Sequence, residues 1–197
     1  MKKIIFISLL VFAQNLFAAD QAIDRKIIAK LIKQLSGGRV NQEMADVLAK
    51  KPMSIVYLKE ANDLANKYSV NFCDVKNQSR RTRDEVDAVR HFIGASILSA
   101  YYGPTFTRDL LTAHERRSDT YTDENRMDLK NNEVGIQNGK FHTVIKVKLS
   151  PKLYLKKIII NKRKFESLIF NLLNQGQLYV LDTKNSRCAN SDLYPNM

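Results

Sequence analysis

The sequence predicts a mainly α, single-domain protein (α+β at its margin) of about seven helices with a small hairpin or loop. Three observations predict this. Apolar residues recur at helical spacing through most of the chain, glycine and proline punctuate the ends of those runs, and residue-by-residue alternation is confined to short stretches after residue 140.

The first segment is read as a leader rather than as part of the fold. Lys2 and Lys3 precede the apolar run "IIFISLLVF", and "NLFAAD" offers small residues for cleavage near Ala18. This is the pattern of a secretory signal over residues 1–18, in bacterial style, with the domain spanning 19–197. The run falls short of the ~20 residues needed to cross a bilayer, so no membrane span is expected after signal removal. The expected location is periplasmic or extracellular, and no cysteine at the cleavage site suggests a lipoprotein. Roughly 180 residues remain, enough for one real core.

In "DRKIIAKLIKQLSGG", Ile27, Ile28, Leu31, Ile32 and Leu35 hold helical spacing up to a double glycine. "NQEMADVLAKK" forms a shorter helix capped by Asn41, and "SIVYLKEANDLANKYS" a third. "NFCDVKNQSRRTR" is polar and basic and reads as an exposed loop carrying Cys73. "DEVDAVRHFIGASILSAYYG" is a long helix with Val86, Val89, Phe92, Ile93, Ile97 and Ala100 in phase. Its small residues Gly94, Ala95, Ser96, Ser99 and Ala100 permit close approach of another element. Gly103-Pro104 ends it and opens "TFTRDLLTAHE", which stops near Glu115.

"RRSDTYTDEN" is turn-prone and leaves space for a hairpin or irregular loop. "NRMDLKNNEVGIQNG" resumes as helix and ends at Gly139. "KFHTVIKVKLS" alternates like a strand or docking segment. "NKRKFESLIFNLLNQG" is a helix capped by Asn161, and "QLYVLDT" a short strand. Internal repeats, low-complexity segments and interdomain linkers are absent from the sequence.

The chain has 32 Lys and Arg against 20 Asp and Glu, a net charge of +12, and stays strongly positive without Lys2 and Lys3. A secreted protein so charged should associate with polyanions such as wall polymers, and charge alone does not choose among them. The two cysteines, Cys73 and Cys188, are expected to pair in an oxidising compartment. Neither a C-x-x-C nor a Cys/His cluster is present, which argues against structural zinc.

Against that basic background, residues 112–132 gather Glu115, Asp119, Asp123, Glu124 and Asp128. Asp87, Arg90 and His91 lie at i, i+3 and i+4 on one helix face, and Asp128, Asn131 and Asn132 do the same on another. Between them, His114-Glu115 closes a helix. Charges of this kind are seldom buried unpaired, so three consecutive helices offer polar clusters that should converge. A satisfied structural network accounts for this equally well at the level of sequence. Glu115 stands out because a helix C-terminus disfavours a carboxylate. Beside apolar residues such as Leu111 it is expected to hold a proton, as a general acid must. A solvated Glu115 paired with Arg116 or Arg117 is the plain alternative.

"DAVRHFIGASILSAYYG", "AHE" and "MDLKNNEVG" together resemble a family of secreted bacterial domains marked by R-H, A-H-E and M-D-x-x-N-N motifs. That family includes the lysozyme that attacks deacetylated peptidoglycan in predatory bacteria. The resemblance covers a motif core at residues 84–138 and implies a lysozyme-like domain with its hairpin or loop after the catalytic helix. It implies a muramidase with Glu115 as catalytic acid and a glutamate late in the following loop as partner. The glutamate there is Glu124, with a shorter spacing than the family's, so Asp123 and Asp119 stay open beside it. Arg90, His91, His114, Asp128, Asn131 and Asn132 take supporting places: Arg90 and His91 orient Glu115 or Asp128, and the asparagines hold the loop.

On this reading the partner is peptidoglycan, anionic or deacetylated, and the protein is expected to be a monomer with no cofactor, metal or nucleic-acid partner. Two other classes compete. One is a metal-dependent hydrolase such as a phospholipase or nuclease, with His91, His114, Glu115 and Asp128 as ligands. His114 and Glu115 point ~100° apart on a helix, which counts against a shared ion. The other is a non-enzymatic wall-binding, inhibitor or immunity protein.

Overall fold

The computed structural model describes residues 25–36, 40–52, 54–73, 84–116, 122–150, 153–181 and 188. Residues 1–18, read above as a secretory signal, lie outside them, as do Asp119 and most of the loop before Thr122. Among the described residues the chain is mainly α, with seven α-helices and one two-stranded antiparallel hairpin. It divides into two compact units, residues 1–56 and 57–197, and the motif core lies in the second.

In the first unit, α1 (Arg25–Leu35) packs with α2 (Gln42–Ala49). Asn41 caps α2 by accepting from Met44 N at 2.7 Å. The apolar stripe of α1 is split: Ile28 and Ile32 are buried, while Ile27 and Leu31 face outward. The helix α3 (Ser54–Phe72) begins at the boundary and continues through the second unit.

Cys73 directly follows α3 and is buried, so the expected exposed loop does not start there. It forms the expected disulfide with Cys188, across a sequence separation of 115. The Cys188 N–H donates to the Glu85 carboxylate at 2.7 Å, tying the same tail to the first turn of α4 (Glu85–Tyr102).

The second unit is organised by α4 against α6 (Asp123–Gln137). The small residues of α4 serve this contact. A Cβ at Gly135 of α6 would stand 2.3 Å from the Phe92 carbonyl oxygen, and one at Gly139 would stand 2.7 Å from Ser99. Ser99 Oγ also donates to the Ile136 carbonyl at 2.8 Å. Between them in sequence, α5 (Pro104–Glu115) follows Gly103, whose φ of 85° lets the chain reverse without a Cβ clash.

The alternating segment is a strand, β1 (Thr143–Ser150). It pairs with β2 (Leu153–Ile159), which the sequence reading did not assign. Two tyrosine hydroxyls dock β2 on the helices: Tyr57 Oη accepts from Lys156 N at 2.8 Å and Tyr101 Oη from Ile158 N at 3.0 Å. This hairpin follows α6 in the chain, and the segment after Glu115, where a hairpin or loop was expected, lies mostly outside the described residues. Its Lys146, Lys148 and Lys157 are exposed.

The last helix, α7 (Lys162–Asn174), is capped by Asn161 and buries Phe165, Ile169 and Leu172. No strand forms over residues 177–181. The partner of that extended segment is a side chain. Asn131 Nδ2 donates to the Tyr179 carbonyl at 2.9 Å, and Asn131 Oδ1 accepts from Tyr179 N at 2.8 Å. An amide pairing both backbone groups of one residue takes the place of a neighbouring strand. No described helix is long and apolar enough to cross a membrane.

Candidate active site

Local capping sets the phase of each contributing helix. Asp84 accepts from Asp87 N at 3.0 Å and opens α4, which places Asp87 and His91 one turn apart on the face toward α6. Thr122 opens α6 through a reciprocal capping box with Asn125, two residues earlier than the sequence reading placed its start. The same Asn125 donates from Nδ2 to the Glu115 carbonyl oxygen at 2.7 Å. The first turn of α6 is thereby clamped to the last residue of α5.

His91 is the centre of the site. Its Nε2 lies 3.5 Å from Asp87 Oδ1 and 3.3 Å from Asp128 Oδ1. Its Nδ1 lies 3.4 Å from Asn132 Oδ1 and 3.8 Å from Glu115 Oε1. Asn132 Nδ2 donates to Glu115 Oε1 at 3.2 Å, and that bond fixes the amide so that its oxygen faces His91. Acceptor oxygens thus face both ring nitrogens. Asp87, Glu115, Asp128 and Asn132 are all buried, and His91 is nearly so.

Burial acts to lower the pKa of His91. The hydrogen bond with Asp87 and the charges of Asp128, Glu115 and Asp87 outweigh it, and the net direction is upward. Asp128 moves further from its ordinary range. Burial pushes its carboxyl up, His91 pulls it back, and Glu115, Asp87 and Glu124 push it up again, to about 7. Glu124, half-buried one turn before Asp128, therefore belongs to the same electrostatic neighbourhood.

The expected convergence of three helices on Glu115, His91 and Asp128 is present, with Asn132 bridging two of them. Other expectations are corrected. Arg90 hydrogen-bonds Asp87, its neighbour one turn back on α4, rather than reaching Glu115 or Asp128. Asn131 is spent on Tyr179, because position 131 points about 100° from Asn132 on the same helix. Asp123 is exposed and pairs with Arg126. Glu115 faces Nδ1 of His91 while Asp128 faces Nε2, so the set His91, His114, Glu115 and Asp128 does not surround one point.

Asn125 was not expected at the site, and Asp87, expected on the converging face of its helix, had no assigned part in it. Asp87 carried a usable signal, its i, i+4 spacing to His91. Asn125 carried another, the T-x-x-N capping spacing from Thr122.

An all-helical convergence of buried carboxylates on one imidazole defines the class of site: a carboxylate-rich centre around a single histidine, set among three helices. The chain belongs to the domain family DUF6973, described as a domain of unknown function, whose pattern matches residues 45–164 and so covers every group of this centre. Searches of curated proteins and of solved structures returned no significant match.

Proposed function

We propose that this protein is a secreted glycoside hydrolase of the muramidase type, cleaving the glycan backbone of peptidoglycan with Glu115 as general acid. The observation that carries the reading is the Asn125–Glu115 clamp of 2.7 Å. It brings the first turn of α6, with Glu124 on it, to the helix end that bears Glu115. A carboxyl at a helix end, a short connection and a second carboxylate at the start of the next element supply the two groups that glycoside hydrolysis requires.

In this mechanism the protonated Glu115 gives its proton to the glycosidic oxygen as the C–O bond breaks. Glu124 faces the developing oxocarbenium ion or the water that captures it. Asn132 holds Glu115 Oε1 in place, and His91 stands behind that bond. The concentration of carboxylates in an otherwise basic chain favours a glycan bearing free amines, that is, a deacetylated wall. The exposed lysines of the hairpin suit retention on anionic wall polymers.

A zymogram with acetylated and deacetylated walls, run with wild type and Glu115→Gln, tests the proposal. Clearing by wild type, lost in Glu115→Gln, is the expected result. Intact walls of both kinds under wild-type protein overturn it, and wall binding without clearing would favour a non-enzymatic wall-binding protein.

A further inference from the structure

We infer that Asp87, His91 and Asp128 form a binding site for one divalent transition ion of the zinc type, held between α4 and α6. The ligand atoms of these three residues lie within 4.8 Å of one another. The inference goes beyond the muramidase reading and stands whether or not the chain cleaves glycan.

The hydrogen-bonding of His91 points to the ion. Asn132 Nδ2 is committed to Glu115, so Asn132 Oδ1 can only accept, and a neutral His91 must carry its proton on Nδ1 to meet it. The Nε2 lone pair then faces Asp87 at 3.5 Å and Asp128 at 3.3 Å. A cation seated between them satisfies all three groups at once, whereas a single proton on Nε2 can be given to only one of the two oxygens. Those separations match the edge of a coordination shell. Ligands around a tetrahedral ion bonded at ~2.1 Å stand ~3.4 Å apart.

A second observation is independent of the cluster's composition. Asp128 Oδ1 is buried without a hydrogen-bond partner on a residue that is 7% exposed, and it is aimed at His91. Unsatisfied buried oxygens are costly, and a cation is one of the few things that repays them. The surroundings are built as outer shells of metal sites are. The imidazole's other nitrogen meets an amide oxygen, and Asp87 is hydrogen-bonded by Arg90. One imidazole with two carboxylates favours a borderline ion such as Zn²⁺ over Mg²⁺ or Ca²⁺, which prefer oxygen alone.

Three protein ligands leave a position for water, so the ion would be open rather than sealed. It would also cross-link α4 to α6, since Asp87 and His91 come from one and Asp128 from the other.

The test is calorimetric titration of tag-free full chain, stripped with EDTA, using ZnCl₂ alone as the probe. One ion per chain is expected, with affinity at least tenfold lower in Asp128→Asn and in His91→Gln, each shown to be folded by its melt in EDTA. X-ray absorption of the zinc-loaded wild type provides a second reading that needs no variant, and nitrogen and oxygen neighbours without sulfur are expected. Absence of saturable binding, unchanged affinity in both folded variants, or a sulfur shell would overturn the inference. None of these readouts depends on wall cleavage, so failure here is distinct from failure of the muramidase reading.

Discussion

Asn132 donates from Nδ2 to Oε1 of Glu115 across 3.2 Å while its own Oδ1 faces His91 Nδ1. One amide on α6 thus fixes groups on both α5 and α4. Asn132→Ala removes both partners at once and leaves Glu115 and His91 buried with fewer contacts. The cost should be roughly 1–3 kcal/mol of stability, measured by urea melts. Wall clearing by this variant should fall far more than the stability loss explains. A variant as active as wild type would show that Glu115 needs no such support.

Asn125→Ala cuts the clamp between the first turn of α6 and the Glu115 carbonyl and also breaks the capping box. A loss of about 1 kcal/mol is expected from the cap. The Thr122→Ala variant separates the two effects, because it weakens the cap and leaves the clamp. Activity should fall more steeply in Asn125→Ala, as compared in one clearing assay.

Gly135→Ala should be among the most damaging single-methyl changes in the chain. Its Cβ would meet the Phe92 carbonyl oxygen at 2.3 Å and Ala95 Cβ at 2.8 Å, and the first of these is backbone that cannot rotate away. A destabilisation of roughly 3 kcal/mol is expected, read as a drop in the urea midpoint. Gly94→Ala is the control, since its nearest neighbour would be Ala65 Cβ at an ordinary 3.6 Å.

His142 sets a pH dependence of stability. Ser96 Oγ donates to the Ile93 carbonyl at 2.9 Å, so it accepts from His142 Nε2 at 2.9 Å, and the buried Nδ1 has no hydrogen-bond partner. Burial depresses this imidazole from 6.5 to about 4. As pH falls, the unfolded chain takes up the proton first. The contribution is therefore intact above the unfolded value and is lost between pH 6.5 and about 4, reaching roughly 3 kcal/mol. Urea melts in EDTA at pH 7 and pH 4.5 should show a smaller difference between the two pH values in His142→Gln than in wild type. An equal difference in the two proteins would contradict this assignment.

Reduction of Cys73–Cys188 opens a loop of 115 residues and releases the tail whose backbone donates to Glu85. A loss of about 5 kcal/mol is expected from the chain-entropy account, measured on the Cys73→Ser/Cys188→Ser pair.

Much of this centre was legible because helix phase is legible. Asp87/His91 and Asp128/Asn132 are both i, i+4 pairs, and Asp84 and Pro104 marked where two of the helices begin. Strand β2 was hidden because "LYLKKIII" shows no clean alternation, and its place depends on tyrosine hydroxyls 57 and 99 residues away. Arg90 and Asn131 were misdirected for a related reason. Sequence gives the face of a helix but not which of several polar neighbours is nearer. The Ser96–His142 pair had no local signal, since its members are 46 residues apart.

The central claim, that Glu115 protonates a glycosidic oxygen, is tested most directly by the fragments released from purified deacetylated sacculi. Mass spectrometry of the products should show new reducing ends on the glycan with wild-type protein. Folded Glu115→Gln should yield at least ~10²-fold fewer, as loss of an essential general acid requires. Reducing ends released equally by Glu115→Gln, or fragments cut only within the peptide, would contradict the account.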